Sequence, residues 1–225
     1  MALEHQTAIE TQEVEVRCGE RRLKGTLSIP AGARGLVVFS HGSGSSRFSP
    51  RNRFVAEALQ QAELATLLID LLEESEEEDR RNVFDIDLLS LRLQSVADWL
   101  GKQPNTRGLR LGYFGASTGA ASALVAAAKQ PERIAAVVSR GGRPDLAREF
   151  LRRVKAPTLL IVGGDDDVVI QLNEDALTQL TCPKEMVVIP GASHLFPEPG
   201  ALEEVARLAT DWFVRRLAPS GKSLT

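Results

Sequence analysis

Leu109-Arg110-Leu111-Gly112-Tyr113-Phe114-Gly115-Ala116-Ser117-Thr118-Gly119-Ala120-Ala121 is the stretch whose reading decides the fold. Its centre, Gly115 to Gly119, fits G-x-S-x-G. Five small residues in that order often occur by chance, so the flanks carry the weight. Leu109 to Phe114 reads as a short apolar strand, and the alanine-rich Ala120 to Lys129 reads as a helix. Strand, tight turn and helix is the setting in which a serine is presented as a nucleophile. The two glycines let the strand and helix backbones pass closely while the serine takes a strained, positive φ. The competing reading is a Gly/Ser turn in which Ser117 or Thr118 merely caps the helix.

Outward from this stretch, the chain alternates between apolar runs and helical patterns. Leu36 to Phe39, Leu64 to Ile69, Ile134 to Val138, Thr158 to Val162 and Met186 to Ile189 are continuous apolar runs, as expected of strands covered on both faces. Helical patterns lie at Arg53–Gln61, Leu88–Leu100, Ser122–Lys129, Leu146–Arg153, Asn173–Leu180 and Leu202–Leu217. This βαβα order predicts a parallel sheet flanked by helices. Before it, Val14 to Arg17 and Leu23 to Ile29 alternate apolar and polar around Gly19-Glu20, which predicts an antiparallel hairpin at the amino-terminal edge. Residues 1–218 are expected to form one domain, with Pro219 to Thr225 a frayed tail. The acidic run Glu73 to Asp79 with Arg80-Arg81 reads as a solvated loop or frayed helix start. The less favoured reading is a mobile flap over the site.

Composition narrows the classes. The 225 residues are 43% hydrophobic and 25% charged, which suits an ordinary globular core. The net charge of −3 and the absence of a basic stripe with interleaved aromatics argue against nucleic-acid binding. No apolar run reaches the roughly 18 to 20 residues of a membrane span. Met1 to Glu10 lacks an apolar h-region, so a cytoplasmic location is expected. Cys18 and Cys182 are too few and too far apart for a disulfide framework or a zinc cluster, so no metal is expected. Dinucleotide binding is disfavoured, because Gly42-Ser43-Gly44-Ser45-Ser46-Arg47 ends in arginine where G-x-G-x-x-G needs a small residue.

A serine becomes a good nucleophile when a base takes its proton and a carboxylate orients that base. The chain has three histidines. His5 lies near the terminus, His41 directly follows the Leu36 strand, and His194 follows the last strand in Pro190-Gly191-Ala192-Ser193-His194. Loops at the carboxyl ends of parallel strands converge on one crevice. His194 is the proposed base, and His41 is read as structural, orienting its own loop. Gly163-Gly164-Asp165-Asp166-Asp167 follows another strand end and supplies the acid, with the choice among its aspartates open. The glycine-rich loop His41 to Ser46 lets backbone amides face the crevice. The amides of Ser43 and Thr118 are the expected oxyanion donors.

Taken together, Ser40-His41-Gly42-Ser43-Gly44, the Gly115–Gly119 pentapeptide, Gly163 to Val169 and Pro190 to His194 resemble the α/β-hydrolase superfamily, in its dienelactone-hydrolase-like group. The resemblance runs from the hairpin to the helix ending near Leu217. It implies an α/β-hydrolase fold: a mostly parallel sheet with an antiparallel hairpin and helices on both faces. Ser139 to Lys155 is too short for a large cap domain. It also implies the order serine, acid, histidine. In such hydrolases the acid commonly occupies G-x-x-D-x-x-V/I, which selects Asp166, with Asp165 as the fallback. One departure matters: dienelactone hydrolases proper use cysteine at the elbow, where this chain has Ser117.

The expected activity is a cofactor-free serine hydrolase of carboxylic esters, thioesters or lactones, working through Ser117, His194 and Asp166 and an acyl-enzyme. Its expected partner is a small-molecule ester or lactone. An acyltransferase or amidase on the same triad is the alternative, as is a noncatalytic binding protein of this fold. Arg140 and Arg47, near strand ends, are candidate clamps for a substrate carboxylate or phosphate. The plainer alternative for Arg140 is an ion pair with nearby acids or simple solvation.

Overall fold

The computed structural model of the protein describes residues 8–218. His5 and the tail from Pro219 lie outside the described residues. The strands are β1 (Ile9–Cys18), β2 (Arg21–Pro30), β3 (Gly35–Ser40), β4 (Leu64–Ile69), β5 (Leu111–Ala116), β6 (Ile134–Arg140), β7 (Thr158–Gly163) and β8 (Lys184–Ile189). The helices are α1 (Pro50–Gln61), α2 (Glu74–Glu77), α3 (Arg80–Val83), α4 (Ile86–Leu100), α5 (Thr118–Lys129), α6 (Asp167–Gln179) and α7 (Ala201–Leu217). A 3₁₀ segment, Pro144–Arg153, lies between β6 and β7.

One eight-stranded sheet runs in the order β1-β2-β4-β3-β5-β6-β7-β8. β1 pairs with β2 and β2 with β4, both antiparallel; every other pairing is parallel. This is the α/β-hydrolase fold with its antiparallel hairpin. The apolar runs of β3, β4, β5 and β7 are inner strands buried at every residue, whereas the run expected to be covered at Met186–Ile189 is β8, the far edge strand, where only Ile189 is buried. The hairpin alternates because β1 is an edge strand with one wet face.

Two cores sandwich the sheet. On one face Val55, Leu59, Val205, Trp212 and Phe213 of α1 and α7 pack against Phe39, Phe114 and Val138. On the other face Leu93, Val96, Leu124 and Leu151 cover Val38, Tyr113 and Val137. Successive residues of a strand face opposite sides. The side chains of Ala136 and Val138 therefore fix Arg140 on the α1/α7 face.

Three stretches depart from the sequence-based expectation. The helix expected at Leu146–Arg153 is a 3₁₀ segment broken at Arg148, which has φ 50°. It packs against α5 and α6. α6 starts six residues earlier than the apolar pattern suggested, directly at the aspartate loop. The acidic run is the third. It forms two short helices, α2 and α3, with no buried residue, rather than a loop, and Glu76 within it pairs with Arg92 of α4 at 2.6 Å.

Candidate active site

β5 ends on Ala116 and α5 begins on Thr118, so Ser117 alone makes the turn. It does so at φ 50°, ψ −122°, a region that costs a non-glycine residue roughly 1–3 kcal/mol. Its flanks hold it there. The Ser117 amide donates to Arg140 O at 3.1 Å, and the Arg143 amide donates to Ser117 O at 3.0 Å. Gly119 has no substitute, since a Cβ there would run into the carbonyl oxygens of Ser40 and His41. The capping alternative does not apply to Ser117, whose side chain makes no cap hydrogen bond.

The Ser117 hydroxyl faces His194. Nε2 of His194 lies 3.4 Å from Ser117 Oγ, and Nδ1 lies 2.6 Å from Asp166 Oδ2. Among the three adjacent aspartates, Asp165 and Asp167 are exposed and Asp166 is the one that meets the imidazole. Asp166 occupies the N-cap position of α6 yet its carboxylate caps nothing, which leaves it free for His194. The two loops that bring them together interlock. A Cβ on Gly163 would strike the Ala192 and Ser193 carbonyls. The Asp165 amide also donates to Ala192 O at 2.9 Å.

Glu198, which the sequence reading missed, ties down the histidine loop. It accepts from the Ser193 hydroxyl at 2.6 Å and the Ser193 amide at 3.1 Å. These bonds, the hydroxyl's first, hold its carboxyl below the usual carboxylate range. Cys18 ends β1 and Cys182 precedes β8, at opposite edges of the sheet, so neither approaches the Ser117 turn.

The loop after β3 lies against this turn. A Cβ on Gly42 would be 3.0 Å from Ser117 Cβ. The Ser43 amide donates to Thr118 Oγ1 at 3.0 Å. The two expected oxyanion donors are therefore adjacent, but the Ser43 amide already has a partner. Thr118 opens α5, where amides have no intrahelical acceptor.

His41 is mostly buried. Its Nδ1 lies 3.1 Å from Gly42 O, and its Nε2 lies 3.5 Å from Asp70 Oδ1. Asp70, just past β4, is a second residue missed from sequence. It accepts from the Arg47 amide at 2.6 Å and pairs with the Arg47 guanidinium. Arg47 also lies over the Phe48 ring, 4.1 Å from its centre. Its charge is thus committed to the loop.

Arg140 ends β6 in register with Ala116, one residue from the serine. Its side chain is only 6% exposed. Among the described residues no hydrogen bond or ion pair holds it, and its Nε is sealed without a partner. Burial, and then the neighbouring charge of Arg51, push the guanidinium down to about 10.

A cavity of about 130 Å³ opens beside the loop after β3. Residues 41–45 form one wall, and Leu71, Leu72, Val83 and Leu89 form the apolar remainder. Glu77, from the acidic run, completes the lining. Burial pushes its carboxyl up. The acidic run thus reaches the cavity through Glu77.

Residues 57–216 match the model of the dienelactone hydrolase family. The dienelactone hydrolase of Anabaena variabilis, solved as a crystal structure, is 62% identical, with a TM-score of 0.91 over 93% of this chain and 99% of that one. Est1E from Butyrivibrio proteoclasticus shares the fold at 18% identity, with a TM-score of 0.78 over 91% and 98% of the two chains. A Mycobacterium tuberculosis protein named "Putative phosphoribosyl transferase" is 57% identical over 212 residues, covering 94% of this chain and 48% of its own length. This chain therefore spans about half the length of that relative. With the α/β-hydrolase sheet, the Ser117 turn and a family match over most of its length, the chain belongs to the dienelactone hydrolase family.

Proposed function

We propose that the chain is a serine hydrolase of carboxylic esters, thioesters or lactones. One observation carries this reading: a strained Ser117 whose Oγ lies 3.4 Å from the ring of a histidine hydrogen-bonded on its far side to Asp166. Ser117 Oγ attacks the carbonyl carbon while His194 Nε2 takes its proton. Asp166 holds the ring and stabilises the imidazolium. Negative charge develops on the carbonyl oxygen, and the amides of Thr118 and Ser43 receive it. For Ser43 this means exchanging or sharing its bond to Thr118 Oγ1; such contacts often realign only when substrate binds. The tetrahedral adduct collapses, and the leaving oxygen or sulfur takes the proton from His194. Water then gives a proton to His194, attacks the acyl carbon and releases the acid, restoring Ser117.

A serine needs this base more than a cysteine would, because its hydroxyl is far less acidic than a thiol. The test is covalent. A fluorophosphonate should label the wild type on Ser117 and leave Ser117→Ala unmodified. Labelling of the alanine variant at the wild-type rate would overturn the assignment. We read the transferase name of the M. tuberculosis relative as belonging to the part of that protein outside the matched stretch.

The apolar cavity beside Gly42 and Ser43 is the proposed acyl site. At about 130 Å³ it is slightly smaller than the ~150 Å³ cavity known to hold benzene. Short acyl groups, up to about the bulk of that ring, therefore fit. In a p-nitrophenyl ester series, kcat/KM should fall at least about tenfold between butyrate and decanoate, since a misfit of several methylenes in an apolar site of this size costs on the order of 1–3 kcal/mol. A flat profile through decanoate would show that the acyl chain lies elsewhere.

A further inference from the structure

Arg140 violates the rule that buried charges are paired. Its side chain projects onto the α1/α7 face, 94% buried by the measure of its 6% exposure, with neither carboxylate nor carbonyl oxygen holding it among the described residues. The ion-pair reading of this arginine is not met among the described residues, and its 6% exposure leaves water little access. The charged neighbour acting on it is another cation, Arg51, in the first turn of α1. Arg51 Nε is likewise sealed without a partner. That first turn contains no acid, and the positive end of the twelve-residue helix dipole adds to the same sign of charge. Asn52, 2% exposed, belongs to the same turn. Phe196 closes one side, its ring centre 5.9 Å from the Arg140 guanidinium carbon.

We propose that Arg140 and Arg51, with the amino-terminal turn of α1, bind a small free oxyanion of carboxylate or phosphate type beneath the His194 loop. A planar guanidinium matches the paired oxygens of either group. The site is separate from the acyl cavity, whose lining does not include Arg140 or Arg51. The slight exposure of Arg140 admits only a compact ion. The site also touches the catalytic loop. Gly141, next to Arg140, packs so closely on that loop that a Cβ there would lie 3.0 Å from His194 O. Phe196 follows His194 by two residues. An anion here supports the segment that carries the proposed base.

The test needs no turnover, so it stands apart from the hydrolase reading. Inorganic phosphate and acetate are titrated at constant ionic strength while thermal unfolding is followed. In the wild type, at least one should raise Tm saturably, by roughly 3–6 °C at ten times the half-saturating concentration. The rise should vanish in Arg140→Gln and shrink in Arg51→Gln. Should Arg140→Gln fail to fold, Arg51→Gln, which is only partly buried, carries the comparison. An unchanged wild-type Tm, or equal rises in all three proteins, would overturn the site. A third result would also overturn it: no response to either anion, but a tenfold loss in Arg140→Gln of preference for p-nitrophenyl hemisuccinate over p-nitrophenyl butyrate. That would assign the cations to a substrate carboxylate.

Discussion

Ser117→Ala is expected to lower kcat for p-nitrophenyl acetate by about 10⁴- to 10⁶-fold, with His194→Ala close behind. The double variant should lose little more than either single one. Without the hydroxyl there is no acyl-enzyme, and without the imidazole the hydroxyl at 3.4 Å keeps its proton. Each loss leaves the same residual catalysis by the oxyanion donors and by binding. Asp166→Asn should cost about 10⁴-fold, because an amide facing Nδ1 at 2.6 Å favours the wrong tautomer and cannot stabilise an imidazolium. Asp165→Asn, exposed and one residue away, should change kcat less than about twofold. The measurement is kcat for each single variant and for the Ser117/His194 double. Multiplicative losses in the double, or equal losses for Asp165 and Asp166, would break the proposed relay.

Local signals account for what the sequence revealed about the site. A buried parallel strand announces itself as an apolar run because both faces are covered, and β3, β4 and β7 were visible this way. β5 was placed two residues too early, since Gly115 and Ala116 have little intrinsic strand preference. They are strand because they pair with Ser139 and Arg140 on β6. The elbow and the aspartate and histidine loops were legible because each requires small or turn-forming residues at a strand end. Long-range partners were not. Asp70 reads as an unremarked acid after a strand until Arg47, 23 residues earlier, is folded onto it. Glu76 reads as one charge among many until Arg92, 16 residues later, arrives from α4. Arg140 is the inverse case. Sequence could place it at the crevice end of β6, but only the packed sheet shows that its charge is buried and unmatched.

The Glu76–Arg92 pair leads to the largest expected stability effect. The two side chains are 12% and 5% exposed, and both guanidinium ends bond to the carboxylate, at 2.7 and 2.6 Å. Removing one charge strands the other, which typically costs 3–5 kcal/mol. Glu76→Gln should sit at the low end, about 3 kcal/mol, because Leu71 O still accepts from Arg92 and the amide keeps one acceptor. For a chain of this size that lowers Tm by roughly 6–12 °C. Arg21→Gln removes only a half-exposed partner, 3.4 Å from the same carboxylate, and should cost at most about 1 kcal/mol. The pH dependence has a definite sign. The Arg92 hydrogen bond lowers the Glu76 carboxyl from 4.5 to about 2, against the opposing effect of burial. Folded Glu76 is thus a stronger acid than unfolded Glu76. Its stabilisation is complete above about pH 4.5 and is lost as pH falls toward 2. The gap in Tm between wild type and Glu76→Gln should therefore be constant from pH 5 to 7 and close between about pH 4.5 and 2. A gap that widened in acid would show that the pair does not hold this segment. Because Glu77, the next residue, lines the cavity proposed for the acyl group, Glu76→Gln should also loosen that wall and flatten the ester chain-length profile while the Ser117–His194–Asp166 contacts remain in place.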